Sequence, residues 1–125
     1  MTEARRVRGG SARRSGRRAE VLAAIALMLR GYRILGFRLK TRQGEIDLLA
    51  VKGRILAVVE VKSRTTELAA LEAVKPEQRQ RLRRAGTQVA AGRPSLKDHA
   101  IRLDLLIISP GRWPRHIPDA WPDGY

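Results

Sequence analysis

The chain has 125 residues, of which 26 are Lys or Arg and 12 are Asp or Glu, for a formal net charge of +14. Its length suits one domain that buries a core unaided, and its charge points to nucleic acid or an anionic membrane surface. With no cysteine and only two histidines, His99 and His116, disulfide frameworks, thiolate zinc sites, cysteine nucleophiles and histidine-based metal sites are excluded.

Residues 1–15 read as a disordered basic arm and residues 16–125 as the domain. The first 18 residues hold seven arginines with several Gly and Ser, and no apolar period. Arg13, Arg14, Arg17 and Arg18 are candidate phosphate contacts that would add affinity without sequence choice; a solvated tail is the alternative. Glu20 and the lack of a small-residue cleavage site argue against a secretory signal. The longest strongly apolar run, Val21 to Leu29, falls far short of the ~20 residues that span a bilayer. The expected location is the cytoplasm, with no membrane partner.

Arg17 to Arg30 predicts a helix, with Leu22, Ile25, Ala26 and Leu29 as its inward stripe and Gly31 as the terminating glycine. Tyr32 to Leu39 reads as a strand. Glu45 to Val51 and Ile55 to Val61 are stronger strands, joined at Lys52-Gly53-Arg54 into a hairpin. Lys75 to Ala91 predicts a basic helix that tolerates Pro76 in its first turn. Ile101 to Ile108 is nearly continuous in apolar residues, the mark of a central strand. The tail, with Trp113, Pro114, Pro118, Trp121 and Pro122, is irregular. The order αβββαβ makes this an α/β protein.

The hairpin carries the chemistry. Side chains alternate along a strand, so Glu60 shares a face with Lys62, and Asp47 with Glu45. Pairing Val51 with Arg54 sets Glu60 diagonal to Asp47; pairing Val51 with Leu56 sets them directly opposite. Both registers gather Asp47, Glu60 and Lys62 on one face, with opposed positions roughly 5 Å apart and diagonal ones roughly 7–8 Å apart. Two facing carboxylates repel unless a cation or basic partner intervenes. Mg²⁺ suits such a gap, where it polarises a phosphate and lowers the pKa of a bound water, and Lys62 can orient that water or offset developing charge. A salt-bridge cluster, Glu60 with Lys62 or Arg102 and Asp47 with Arg42, is the competing explanation.

Other residues are weighed by their surroundings. Arg102 and Asp104 share a strand face and are expected to form a buried pair that fixes the sheet. Lys75, Arg79 and Arg83 would follow a phosphate backbone or form a solvated helix face. Trp113 and Trp121 are expected to pack over the sheet edge.

Glu20, the Gly44-Glu45-Ile46-Asp47-Leu48-Leu49 string and Val59-Glu60-Val61-Lys62 together resemble the PD-(D/E)XK nuclease superfamily. From about Gly16 to about Trp121 the chain resembles, more closely, the YraN family of small bacterial proteins, related to Holliday-junction resolvases. Gly31-Tyr32-Arg33-Ile34-Leu35, Arg102-Leu103-Asp104-Leu105-Leu106 and Pro118-Asp119-Ala120-Trp121 fit that family's segments. The resemblance implies a restriction-endonuclease-like three-layer fold, a mixed central sheet flanked by helices. It implies that Asp47, Glu60 and the Val61 carbonyl hold Mg²⁺ or Mn²⁺, that Lys62 is catalytic and that Glu20 binds metal or water nearby. Gln78 stands where the family usually has a lysine. The expected activity is metal-dependent endonucleolytic hydrolysis of DNA, including branched DNA, by a chain that pairs as a homodimer like the resolvases. The alternative is a nucleic-acid-binding protein without catalysis.

Overall fold

The computed structural model describes residues 17–122. The arm predicted at residues 1–15, with Arg13 and Arg14, lies outside them. Helix α1 covers residues 17–29. Strands β1 (Arg33–Thr41), β2 (Gly44–Lys52) and β3 (Ile55–Ser63) follow, then helices α2 (Glu67–Glu72) and α3 (Pro76–Ala91). A 3₁₀ turn (Pro94–Leu96), β4 (Ala100–Ile108) and β5 (Arg115–Ile117) complete the order. The strands form one sheet, β1-β2-β3-β4-β5, antiparallel throughout except for the parallel pair β3 and β4. The fold is α/β, with a mixed sheet flanked by helices. Among the described residues no helix is long and apolar enough to cross a membrane.

Alternation along the strands builds two cores. One face of the sheet offers Leu49, Val51, Leu56, Val58, Leu103, Leu105 and Ile107, which pack with Ala70, Val74, Leu82 and Ala85 of α2 and α3. The other offers Leu48, Ala50, Ala57, Val59 and Leu106 to Ala23, Ala24, Ala26 and Leu27 of α1. β4 is buried along most of its length and lies between β3 and β5, as its apolar run predicts.

α3 approaches the sheet closely at Gly86. A Cβ there would lie 2.6 Å from Val58 Cγ2 and 3.0 Å from Ile101 Cγ2, so no larger residue fits without repacking. α1 ends as predicted. Gly31 adopts φ 92°, Gly31 N–H donates to the Met28 carbonyl and Tyr32 N–H to that of Leu27, the paired bonds that close a helix through a left-handed glycine.

The inward face of α1 differs from the prediction. Ala19, Ala23, Ala24, Ala26 and Leu27 are buried, whereas Leu22, Ile25 and Leu29 are exposed. The helix is apolar nearly all round, so periodicity does not choose its face. Close packing does, since alanines let the helix axis settle near the sheet. α2 and β5 were not expected. α2 is short and capped by Thr66, whose hydroxyl accepts from Ala69 N–H; β5 has only three residues in a proline-rich tail.

The C-terminal segment is held at two points. Trp121 is buried; its Nε1 donates to the Leu71 carbonyl and its own carbonyl accepts from Arg83 Nη2 at 2.9 Å. Trp113 is exposed, against the expectation that it packs over the sheet edge; carried on the β4–β5 loop, it stands at the rim of a cleft lined by Leu22, Ile108 and Pro114. The second point is Asp104. Its carboxylate accepts two bonds from Arg102, one from the Asp119 N–H and one from His116 Nε2. Arg30 donates to His116 Nδ1, which leaves the imidazole proton on Nε2. Burial alone would raise the Asp104 pKa, but the hydrogen bonds from His116, Arg102 and Asp119 outweigh it and hold the pKa below the ordinary carboxylate range. The expected Arg102–Asp104 pair is therefore present.

Candidate active site

The β2–β3 hairpin sets the site. Lys52 pairs with Ile55 and Val51 with Leu56, and the ladder runs on to Leu48 and Val59. This is the register that sets Asp47 opposite Glu60. There the backbone ladder stops. The Asp47 carboxylate takes over, accepting the Val61 N–H on Oδ2 at 2.9 Å. Ile46 and Leu48 pack into opposite cores, so the strand breaks its alternation at Asp47. The Asp47 side chain reaches across to the backbone of β3 there.

Glu60 lies on the α3 face and is 3% exposed. Its Oε2 accepts from Gln78 Nε2 at 2.8 Å and lies 3.6 Å from Lys62 Nζ. Its carboxyl is also within hydrogen-bonding reach of Asp47. Burial first, then that hydrogen bond and the charge of Asp47, push the Glu60 pKa up to about 8, from 4.5. Lys62 pulls the other way and does not prevail. Two carboxyl groups thus face each other at the end of an apolar sheet; the Glu60–Lys62 ion pair of the competing explanation is present at 3.6 Å, but burial and Asp47 outweigh it and favour the protonated form of Glu60.

This donor set fits a hard divalent ion. Mg²⁺ is commonly held by one or two carboxylates, with waters and phosphate oxygens filling the remaining positions. Val61 enters the site through its N–H, which fixes Asp47. Among the described residues no group of three or more His, Asp or Glu side chains is gathered closely enough to hold a metal. Glu20 is instead paired with Arg38, whose Nε donates to Glu20 Oε1 at 2.6 Å.

The basic residues divide by surroundings. Arg17 and Arg18 are exposed at the start of α1, and Lys75 is exposed beside α3. Arg79 donates to the Val74 carbonyl and its guanidinium lies 5.1 Å from the centre of the Trp121 ring; Arg83 holds the Trp121 carbonyl. Arg81 was not singled out from the sequence. It lines a cleft of about 190 Å³ with Gln43, Gly44, Glu45, Gln78 and Leu82, so the cleft opens onto the residue that bonds Glu60. Arg84 stands beside it, donating to Gln43. The spacing of Arg81 from Gln78, three along the helix, was the available signal.

Residues 19–108 match the model of a family described as uncharacterised protein family UPF0102. The chain belongs to UPF0102, the YraN family. A UPF0102 protein of Caulobacter vibrioides is 65% identical over 117 residues, 94% of each chain. A relative from Parvibaculum lavamentivorans is 50% identical over 113 residues, covering 90% of this chain and 85% of its own. One from Maricaulis maris is 45% identical over 124 residues, covering 99% and 94%. The UPF0102 match takes in α1 from Ala19 onward, the acidic hairpin, α3 and β4, so Glu20, Asp47, Glu60, Lys62 and Gln78 lie within it.

Proposed function

We propose that this UPF0102 chain is a metal-dependent nuclease that hydrolyses phosphodiesters of nucleic acid, DNA first and branched DNA among its forms. The single observation that carries this reading is the Asp47–Glu60 pair, two facing carboxyl groups flanked by Lys62 and Gln78 in a chain of net charge +14. The resemblance of the same residues to the PD-(D/E)XK pattern supports it.

Asp47 and Glu60 would hold Mg²⁺ or Mn²⁺, with the Val61 carbonyl as a further oxygen donor. The bound ion would polarise the scissile phosphate and acidify a water. The remaining work falls to the protein. Gln78 orients the Glu60 carboxyl through its amide. Lys62 sets a positive charge beside it, where charge develops on the phosphate oxygens. Arg81 and Arg84 place positive charge at the adjoining cleft, through which a phosphate backbone can approach.

The test is cleavage of duplex, flap, four-way-junction and RNA substrates with Mg²⁺ or Mn²⁺. Asp47→Ala and Glu60→Ala should each abolish cleavage while the fold, read by thermal melting, is kept. Activity that survives both substitutions means that the site is elsewhere. A second reading, binding without catalysis, is favoured by the absence of a third clustered acid among the described residues. It requires salt-sensitive binding, no cleavage, and no metal-induced rise in melting temperature.

A further inference from the structure

β1 carries a backbone outlier beside the candidate site. Arg38 sits at φ 50°, in the left-handed region that residues with a Cβ rarely adopt and that persists only where surrounding contacts hold it. The register shows what this conformation achieves. Phe37 pairs with Leu48 and Leu39 with Ile46, which sets Arg38 abreast of Asp47. Arg38 Nε donates to Glu20 at 2.6 Å, yet the arginine side chain remains 43% exposed. Glu20, and behind it Glu45 and Asp47, hold the guanidinium charged, with its pKa above even its usual high range. The bond to Glu20 uses Nε. The two terminal Nη groups have no hydrogen-bond partner among the described residues.

We infer that Arg38 is a phosphate-anchoring residue, positioned by Glu20, which grips the nucleic-acid backbone beside the Asp47–Glu60 pair. This rests on the nucleic-acid reading above and assigns Glu20 a different role from the metal or water ligand that the family resemblance implies. A guanidinium held through Nε offers its terminal fork to two oxygens of one phosphate. The strained backbone and the Glu20 carboxylate fix that fork before substrate arrives, so little ordering entropy is lost on binding. Glu20 is a positioning residue: its oxygen is committed to Arg38, and it joins no trio with Asp47 and Glu60. An arginine anchored between acids also discriminates. It accepts a phosphate diester that the neighbouring carboxylates would repel if it were absent.

The experiment uses the full chain, a fluorescein-labelled DNA duplex read by anisotropy with Ca²⁺ in place of Mg²⁺, and Mn²⁺ titrated by calorimetry. Arg38→Gly keeps the left-handed backbone accessible while removing the guanidinium, and melting confirms its fold. It should weaken duplex binding roughly tenfold, as expected for one lost charge-assisted contact, and reduce the salt slope by roughly 0.9, with Mn²⁺ binding unchanged. Arg38→Lys should recover only part of the affinity, since an ammonium lacks the fork. Glu20→Gln should weaken duplex binding and leave Mn²⁺ binding intact. Unchanged duplex affinity in Arg38→Gly, or loss of Mn²⁺ binding in Glu20→Gln, would overturn the assignment. A wild-type chain that takes up no Mn²⁺ and cleaves nothing sinks the hydrolytic reading alone, because the anisotropy of Arg38→Gly still decides the anchor. A wild-type chain that binds no duplex overturns both.

Discussion

Glu60 keeps its proton up to about pH 8 where an unfolded glutamate loses it near 4.5. Between those values the native chain binds more protons than the unfolded one, so stability falls as pH rises through this window. Below it both states are protonated, and above it both are ionised, so the slope vanishes at either end. Glu60→Gln, which imitates the protonated acid, should flatten the slope in urea melts recorded in EDTA. On the proposed metal site a divalent ion would displace the proton, so stabilisation by Mg²⁺ should grow with pH and disappear in the variant. A slope that persists in Glu60→Gln would assign the titration to another group. Asp47, Glu60 and Lys62 were picked out in the sequence by alternation along two strands joined by a short turn; that argument holds for Glu60 and Lys62, whereas β2 breaks its alternation at Asp47, between Ile46 and Leu48. Arg38 was not legible, because its role depends on a left-handed φ and on a helix distant in the chain, neither of which leaves a local pattern. Gln78 was visible as a position in a family pattern, but its bond to Glu60 is a fact of how α3 seats on the sheet.

At the scale of elements, α1 separates composition from packing. Leu27 is fully buried and Leu29 is 73% exposed, although both lie in the same apolar run. Leu27→Ala should cost about 2–5 kcal/mol by opening a cavity, whereas Leu29→Ala should stay within about 0.5 kcal/mol. Chemical denaturation of the two variants checks this, and equal losses would mean that the helix face is misassigned. The existence of α1, β2, β3, α3 and β4 was readable because each carries a period, a cap or a turn, although β3 runs on to Ser63. The face of α1 was not, since a helix apolar on all sides supplies no moment. β5 was not either, because three residues bonded to β4 are chosen by the sheet edge and by the Asp104–His116 contact. Its sequence alone has no strand preference strong enough to mark it.

Across the whole molecule, the net charge of +14 dominates encounters with polyanions. Binding to duplex DNA should weaken steeply with salt, log K falling by roughly 0.9 for each phosphate neutralised. Fluorescence anisotropy over a salt series checks it, and a flat dependence would exclude backbone-driven binding. The charge was fully legible from composition. Its distribution was legible at Arg102, whose pairing with Asp104 was expected and is present, but not elsewhere, because Arg83 spends its guanidinium on the C-terminal segment and Arg81 turns to the cleft.

The parallel pairing of β3 with β4 has a kinetic consequence. β1, β2 and β3 are consecutive and can zip as they leave the ribosome, but Ile55 must wait for Ala100. Until then the nascent chain presents β3 as an open, apolar rim, with α2 and α3 forming the long bridge that must close over it. That closure is the natural slow step of refolding, and the interval before it is when two growing chains are most prone to aggregate through their bare edges.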